Sequence, residues 1–227
     1  MPAPPTRFTL YSGPLSMFGA KVQIAALEKG LDFDLVMVSY DSQLGYSPKH
    51  PEVLRINPKG QVPVLVHGDL EISDSTQIFE YLEDLKPTPA LWPSDIRERA
   101  RARRLEHQSD EVYFPHIIRL MSLQKNLADA VAVTSIAAAT AYYAEMEKLL
   151  TTGWLTGAYS FADIAFYMAA LFGERHSAPV TLNTPKLLEW RDRMTRRAAV
   201  RPVVSAMAAW LKAAGRPVPA FMSSATA

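Results

Sequence analysis

No cysteine occurs among the 227 residues. That excludes a disulfide framework, thiolate metal ligands and a cysteine nucleophile. An excess of either charge is lacking too: 24 Lys and Arg stand against 23 Asp and Glu, a formal net charge of +1. No global field therefore draws the chain to nucleic acid or to an anionic membrane. Long apolar runs are also missing. The richest segment, "AVAVTSIAAATAYYA", is too short and too Ala-rich for a membrane span. The opening "MPAPPTR" has one Arg and no apolar core, so it does not read as a signal peptide. The expectation is a soluble, cytoplasmic protein.

What is present is an ordinary globular balance, 48% hydrophobic and 21% charged, enough for a sizeable core. "RFTLYS" reads as a strand ended by the Gly13-Pro14 turn. From Ser16, the residues Phe18, Val22, Ala25, Ala26 and Lys29 keep helical spacing up to a stop at Gly30. "DFDLVMVSY" is a second strand, apolar on both faces, which predicts burial on both faces. "GYSPKHPEVLRINPKG" holds a short helix broken by prolines. "QVPVLVHGDLEIS" is a hairpin turning at His67-Gly68-Asp69. Ile78, Tyr81, Leu82 and Leu85 give the segment from Asp74 to Leu85 the apolar face of a helix.

The order β-α-β-α-β-β-α makes an α/β unit with a mixed sheet over residues 1–86. "KPTPALWPSD", with three prolines in seven residues, predicts a linker over 87–94. Residues 95–227 carry helical patterns at about 95–125, 130–151, 161–173, 185–197 and 200–214 and almost no strand signal. The second unit is therefore expected to be all-α, with a tail that frays beyond Phe221.

Four motifs carry more than secondary structure. In "KGQVPVL", Pro63 interrupts a strand pattern, where it removes a ladder donor. A cis Val62-Pro63 bond at the strand's start would turn the Val62 backbone outward to pair with a peptide-like ligand. An edge-strand proline without function is the alternative, and the motif alone leaves both open. In "EISDSTQIFEYL", Asp74 and Ser75 are good caps. The same helix start offers N–H groups to a carboxylate, and Asp74 offers a partner to an ammonium, so an α-amino-acid head would satisfy both. Ser16 is likewise a helix cap. A ligand thiol placed there would gain a hydrogen bond and the helix dipole, both favouring thiolate. Lowering a thiol pKa by two units takes roughly 2.7 kcal/mol, and a charge-assisted hydrogen bond supplies about 1.5–3 kcal/mol. In "GAYSFADIAF", Ser160 and Asp163 make a capping box and Tyr159 a staple onto Ile164, a packing device rather than a catalytic aspartate.

"NPKGQVPVL", "ISDSTQIFEYL", "GAYSFADIAF" and "LLEWRDRMTRRAAVRPVV" together resemble the cytosolic glutathione transferases over about residues 6–214. The resemblance implies a thioredoxin-like N-terminal domain, βαβαββα, followed by an all-α domain. It implies glutathione as co-substrate without a metal, a small apolar electrophile bound between the domains, and a homodimer. Val62 would bind the cysteinyl backbone beside cis Pro63, and Asp74 and Ser75 the γ-glutamyl head. Lys49, with His50 as its rival and Gln61 nearby, would meet the glycyl carboxylate. Ser16, six residues before Val22, falls where phi, theta and zeta members keep a catalytic serine. Tyr11 is the rival thiolate donor, as in tyrosine-type members.

Two departures from the family pattern matter. The zeta signature around its serine pair is missing, which argues against maleylacetoacetate isomerisation. Asp74 stands one methylene short of the usual Glu or Gln. The absence of cysteine excludes the enzyme-thiol exchange of omega- and beta-like members. Phe18, Tyr113 and Ile117, with Phe114, Leu120 and Met121, are expected in the electrophile pocket. The five arginines of "RERARARR" form a solvated helix start or a wall beside an anionic ligand rather than a nucleic-acid patch. Asp110 matches an aspartate that reaches the glutathione amine of the other subunit in some theta-like members. His107, His116 and His176 show no metal spacing. A non-catalytic ligand-binding protein, or a glutathione-dependent isomerase or dehalogenase, would use the same fold.

Overall fold

β1 (Phe8–Ser12), α1 (Met17–Glu28), β2 (Phe33–Met37), α2 (Pro51–Ile56), β3 (Val64–His67), β4 (Leu70–Ser73) and α3 (Ser75–Leu85) follow in the anticipated order. The structure is a computed structural model and describes residues 7–41, 44–47 and 49–223. The outer ends of both proposed domains, including most of "MPAPPTR", lie outside these residues. β1 pairs in parallel with β2 and antiparallel with β3, and β4 closes the hairpin, giving the order β2-β1-β3-β4. This is the mixed sheet of a thioredoxin-like unit.

The expectation for β2 is corrected. It is an edge strand, and Leu35 and Met37 are 41% and 44% exposed. An apolar pattern reports side-chain chemistry, not a strand's place in the sheet. A strand at the margin has one neighbour, and its cover is incomplete.

The proline-rich linker is packed rather than free. Leu91 and Trp92 are buried, and their amides donate to the Glu83 carboxylate at 3.0 and 3.1 Å. Lys29, at the C-terminal end of α1, is buried with them. Its ammonium donates to the carbonyls of Lys86 and Pro89 and pairs with Glu83 at 2.6 Å. A buried lysine persists because each of its donors finds an acceptor.

The second half contains α4 (Ile96–Gln108), a π-helical turn (Ser109–Tyr113), α5 (Phe114–Ser122), α6 (Ala130–Leu149), α7 (Phe161–Arg175), α8 (Pro185–Thr195), α9 (Val200–Ala213) and α10 (Ala220–Ser223). Phe221 and Met222 are packed, with the Arg191 guanidinium 4.7 Å from the Phe221 ring centroid, and the rest of the tail expected to fray, residues 224–227, lies outside the described residues.

α7 is buried along the whole of Phe161–Gly173, as a helix that is apolar all round except at Asp163 should be at the centre of a domain. Asp163 behaves as a packing device. It accepts from the amides of Ser160 (3.0 Å) and Leu155 (3.1 Å) and from Trp190 Nε1 (2.9 Å). Burial pushes its carboxyl up to about 6, against those donors. Tyr159 reaches into the first half, where its hydroxyl donates to Glu28 Oε1 at 2.9 Å. Arg197 grips the same carboxylate through Nε and Nη2 at 2.7 and 2.9 Å. The two halves are thus joined along α1 by paired charges as well as by apolar packing.

Candidate active site

Two cavities open along the seam between the halves and share Phe18, Gln61 and Val62. The first, of about 610 Å³, contains Ser16, Lys49 and His50 in its wall. The second, of about 570 Å³, contains Pro63, Asp74 and Ser75. The structure therefore gathers residues scattered over the first 75 positions into one cleft.

Ser16 is the N-cap of α1. Its Oγ accepts from the Gly19 amide at 3.0 Å, and the residue is 7% exposed. A hydroxyl that accepts one amide still has its own proton to donate. The cap and a hydrogen-bond donor for a ligand are therefore compatible in one side chain.

Val62-Pro63 is cis. Pro63 immediately precedes β3, which is an internal strand between β1 and β4. The edge-strand alternative for this proline does not hold. Asp74 caps α3, with Oδ1 accepting from the amides of Thr76 and Gln77 at 3.0 and 3.2 Å. Its backbone has φ 81°, a left-handed conformation rarely adopted outside Gly, Asn and Asp. The strained residue stands where the helix start faces the second cavity.

Tyr11 lines neither cavity. Its ring lies 5.1 Å from that of His50, against the Val38, Val53 and Val64 cluster beneath α2. Tyr113 and Ile117 are corrected as well: both are fully buried in the core. The Tyr113 hydroxyl is 2.6 Å from that of Tyr143 and so close to Gly173 that a Cβ there would come within 2.1 Å of it. A π turn precedes α5; Phe114 and Met121 line the first cavity as expected, Leu120 is fully buried in the core, and Ile118, which was not anticipated, lines the cavity as well.

The cleft is charge-polarised. Lys49, Arg175 and Arg216 line the first cavity, and no Asp or Glu does so among the described residues. Asp74, Glu80, Glu106, Asp110 and Glu111 line the second, against Lys59 and Arg103. Glu106 and Asp110 are held from behind by Lys21, fully buried in α1, at 2.8 and 2.5 Å. Glu106 also accepts from the Thr76 hydroxyl at 2.7 Å. Burial raises the Asp110 carboxyl to about 6 while Lys21 opposes the rise. Periodicity gives no signal for the Lys21 group, because the pairing spans more than eighty residues. Arg175, His176 and Arg216 were also not anticipated, since nothing local marks a helix end that meets another domain.

Among the described residues, no group of three or more His, Asp or Glu could hold a metal ion, and no helix is long and apolar enough to cross a membrane. The arrangement suits a zwitterionic, extended ligand: an ammonium toward the acidic cavity, a carboxylate toward Lys49, and a central atom at Ser16.

Residues 10–90 match the family described as glutathione S-transferase, N-terminal domain. The chain is 33% identical to Glutathione S-transferase Z2 of Arabidopsis thaliana over 175 residues, 73% of each chain. It is 40% identical to Glutathione S-transferase 1 of Dianthus caryophyllus over 119 residues, 52% of this chain and only half of that relative's length. Among solved structures it is similar to a glutathione S-transferase from Methylobacterium radiotolerans in complex with glutathione sulfonate, with TM-score 0.73, 27% identity, and 87% and 94% of the two chains covered. A glutathione S-transferase from the Antarctic clam Laternula elliptica, at 24% identity, shares the fold with TM-score 0.76 over 87% and 91% of the chains.

Proposed function

Because this chain belongs to the glutathione S-transferase family, we propose that it binds glutathione across the two cavities and conjugates it to a small electrophile. In this reading Val62 pairs with the cysteinyl backbone, Asp74 and Ser75 take the γ-glutamyl head, and Lys49, with His50 and Gln61, meets the glycyl carboxylate. Ser16 donates to the sulfur and holds it as thiolate. Sulfur then bonds to the electrophilic atom and the leaving group departs with its electron pair. Binding both reactants in one cleft supplies the orientation the step needs.

The observation that carries the reading is Ser16. Its Oγ is satisfied as an acceptor by Gly19 and keeps one proton, and Ser16 lines the cavity that Val62 also lines. The kinetic test is Ser16→Ala with a generic aromatic electrophile. We expect kcat/KM to fall by about 10- to 100-fold, the equivalent of one charge-assisted hydrogen bond. Tyr11→Phe should fall far less. An unchanged Ser16→Ala enzyme beside an inactive Tyr11→Phe enzyme would transfer the role.

Zeta-class relatives favour a second reading, glutathione-dependent isomerisation. The chain is 35% identical over 96 residues to a maleylacetoacetate isomerase of Rattus norvegicus. Isomerisation regenerates glutathione and conjugation consumes it, so thiol loss during turnover separates the two. We also propose the homodimer that the family resemblance implies. Sedimentation equilibrium at twice the 25.2 kDa chain mass supports it, and a single-chain mass contradicts it.

A further inference from the structure

One hydroxyl of the first cavity has no part in the reading above. Tyr46, in the loop between β2 and α2, lines this cavity together with Ser16, Phe18 and Phe114. Its Oη is buried and makes no hydrogen bond among the described residues. The Leu15 amide faces that oxygen only as a donor, so it cannot take the hydroxyl proton. A buried donor without an acceptor is costly, and this one calls for a partner that the chain does not supply. Burial holds the hydroxyl well above the ordinary tyrosine value, against Leu15 and Arg175, so it keeps its proton at neutral pH.

The ring is closely packed. A Cβ added at Gly13 would come within 2.2 Å of Tyr46 Cε1 and 2.3 Å of Oη, so the hydroxyl end rests directly on that glycine. Gly13 opens the turn that leads into Ser16, whose amide donates to the Gly13 carbonyl at 3.1 Å. Tyr40 meets the Tyr46 ring edge-on with centroids 4.7 Å apart, and Trp210 of α9 meets Tyr40 at 5.3 Å. The unpaired proton is thereby held beside the turn that carries the candidate thiolate site. A donor fixed before the reaction stabilises developing charge without having to reorganise.

We propose that Tyr46 is a second catalytic hydroxyl, which donates to an oxygen of the electrophile on which negative charge develops during attack by the thiolate. The electrophile class is an α,β-unsaturated ketone. The proposal deepens the transferase reading and rests on it. Sulfur bonds to the β-carbon, the alkene π pair shifts toward the carbonyl, and the carbonyl oxygen becomes an enolate oxygen that accepts the Tyr46 hydrogen bond. In conjugation the α-carbon then takes from water the proton that the thiol gave up to solvent. In isomerisation the C–S bond breaks again after rotation, and the enolate returns its electron pair to the alkene. The Tyr46 hydroxyl keeps its proton throughout and serves both outcomes.

The test compares benzylideneacetone with benzyl chloride. Addition to the first makes an enolate oxygen. In the second, sulfur bonds to the benzylic carbon and chloride leaves with the bonding pair, so no oxygen anion forms. Tyr46→Phe keeps the ring and removes only the unpartnered hydroxyl. We expect it to lower kcat/KM for benzylideneacetone by about 10- to 100-fold. Its kcat/KM for benzyl chloride and the thiol pKa of bound glutathione should stay close to the parent's. The parent gives a second readout that needs no variant. With rates normalised to the uncatalysed reactions, its acceleration for benzylideneacetone should exceed that for benzyl chloride by about 10-fold or more.

Equal losses for the two substrates overturn the proposal, because they assign Tyr46 to positioning the Ser16 turn. A raised thiol pKa in Tyr46→Phe does the same by assigning the hydroxyl to sulfur. An unchanged variant, equal acceleration of both substrates by the parent, or turnover of benzyl chloride alone also overturns it. Turnover of neither compound contradicts the transferase reading itself.

Discussion

Ser16 Oγ accepts the Gly19 amide at 3.0 Å, and a hydroxyl in that position retains its own proton. The helix cap and the proposed thiolate donor are therefore compatible in a single side chain. Asp163 works differently. Three N–H groups converge on it in the core, yet its carboxyl lies near 6, well above the roughly 3.9 of an unfolded aspartate. The folded state therefore takes up a proton as pH falls from about 6 to about 4. This group's contribution to stability is fully present below pH 4 and lost as pH rises through 6. Urea midpoints of the parent and Asp163→Asn should diverge in the parent's favour as pH drops from 7 to 4, by roughly 2–3 kcal/mol. A constant difference across that range contradicts the assignment. The capping box was legible in "SFAD" because it depends on a four-residue spacing. The Trp190 bond to the same carboxylate was not, because twenty-seven residues separate the partners.

α1 is the element on which both halves close. Lys21 joins it to α4 and the π turn, Glu28 to Arg197, and Lys29 to α3 and the linker. Its helical spacing was readable from Ser16 to Gly30, but a stripe of apolar positions does not reveal that the opposite side is buried too. Lys21→Met should cost about 3–5 kcal/mol by leaving Glu106 and Asp110 buried without their cation. Adding Glu106→Gln and Asp110→Asn should recover most of that loss. A Lys21→Met protein within about 1 kcal/mol of the parent would contradict the structural role. β2 and α5 failed for related reasons. An apolar strand pattern does not say which strand is at the edge, and helical periodicity does not say that Tyr113 and Ile117 face the core rather than the cavity.

At the scale of the whole molecule, the fold order of the first half and the helical nature of the second were legible, because both rest on local periodicity and turn chemistry. The polarity of the cleft was not. It arises where the acidic side of α4 and the basic end of α7 meet the thioredoxin-like unit, and neither local segment announces its partner. Two parts of that polarity support the proposed ligand: acid around its ammonium and Lys49 at its carboxylate, with the Ser16 hydroxyl between them.

The most direct measurement of that claim is the ultraviolet absorbance of bound glutathione thiolate as a function of pH, in the parent and in Ser16→Ala. The parent should hold the thiol pKa well below its free value, and Ser16→Ala should raise it by about 1–2 units, the reach of one charge-assisted hydrogen bond. Glutathione bound with the same thiol pKa in both proteins would contradict the account.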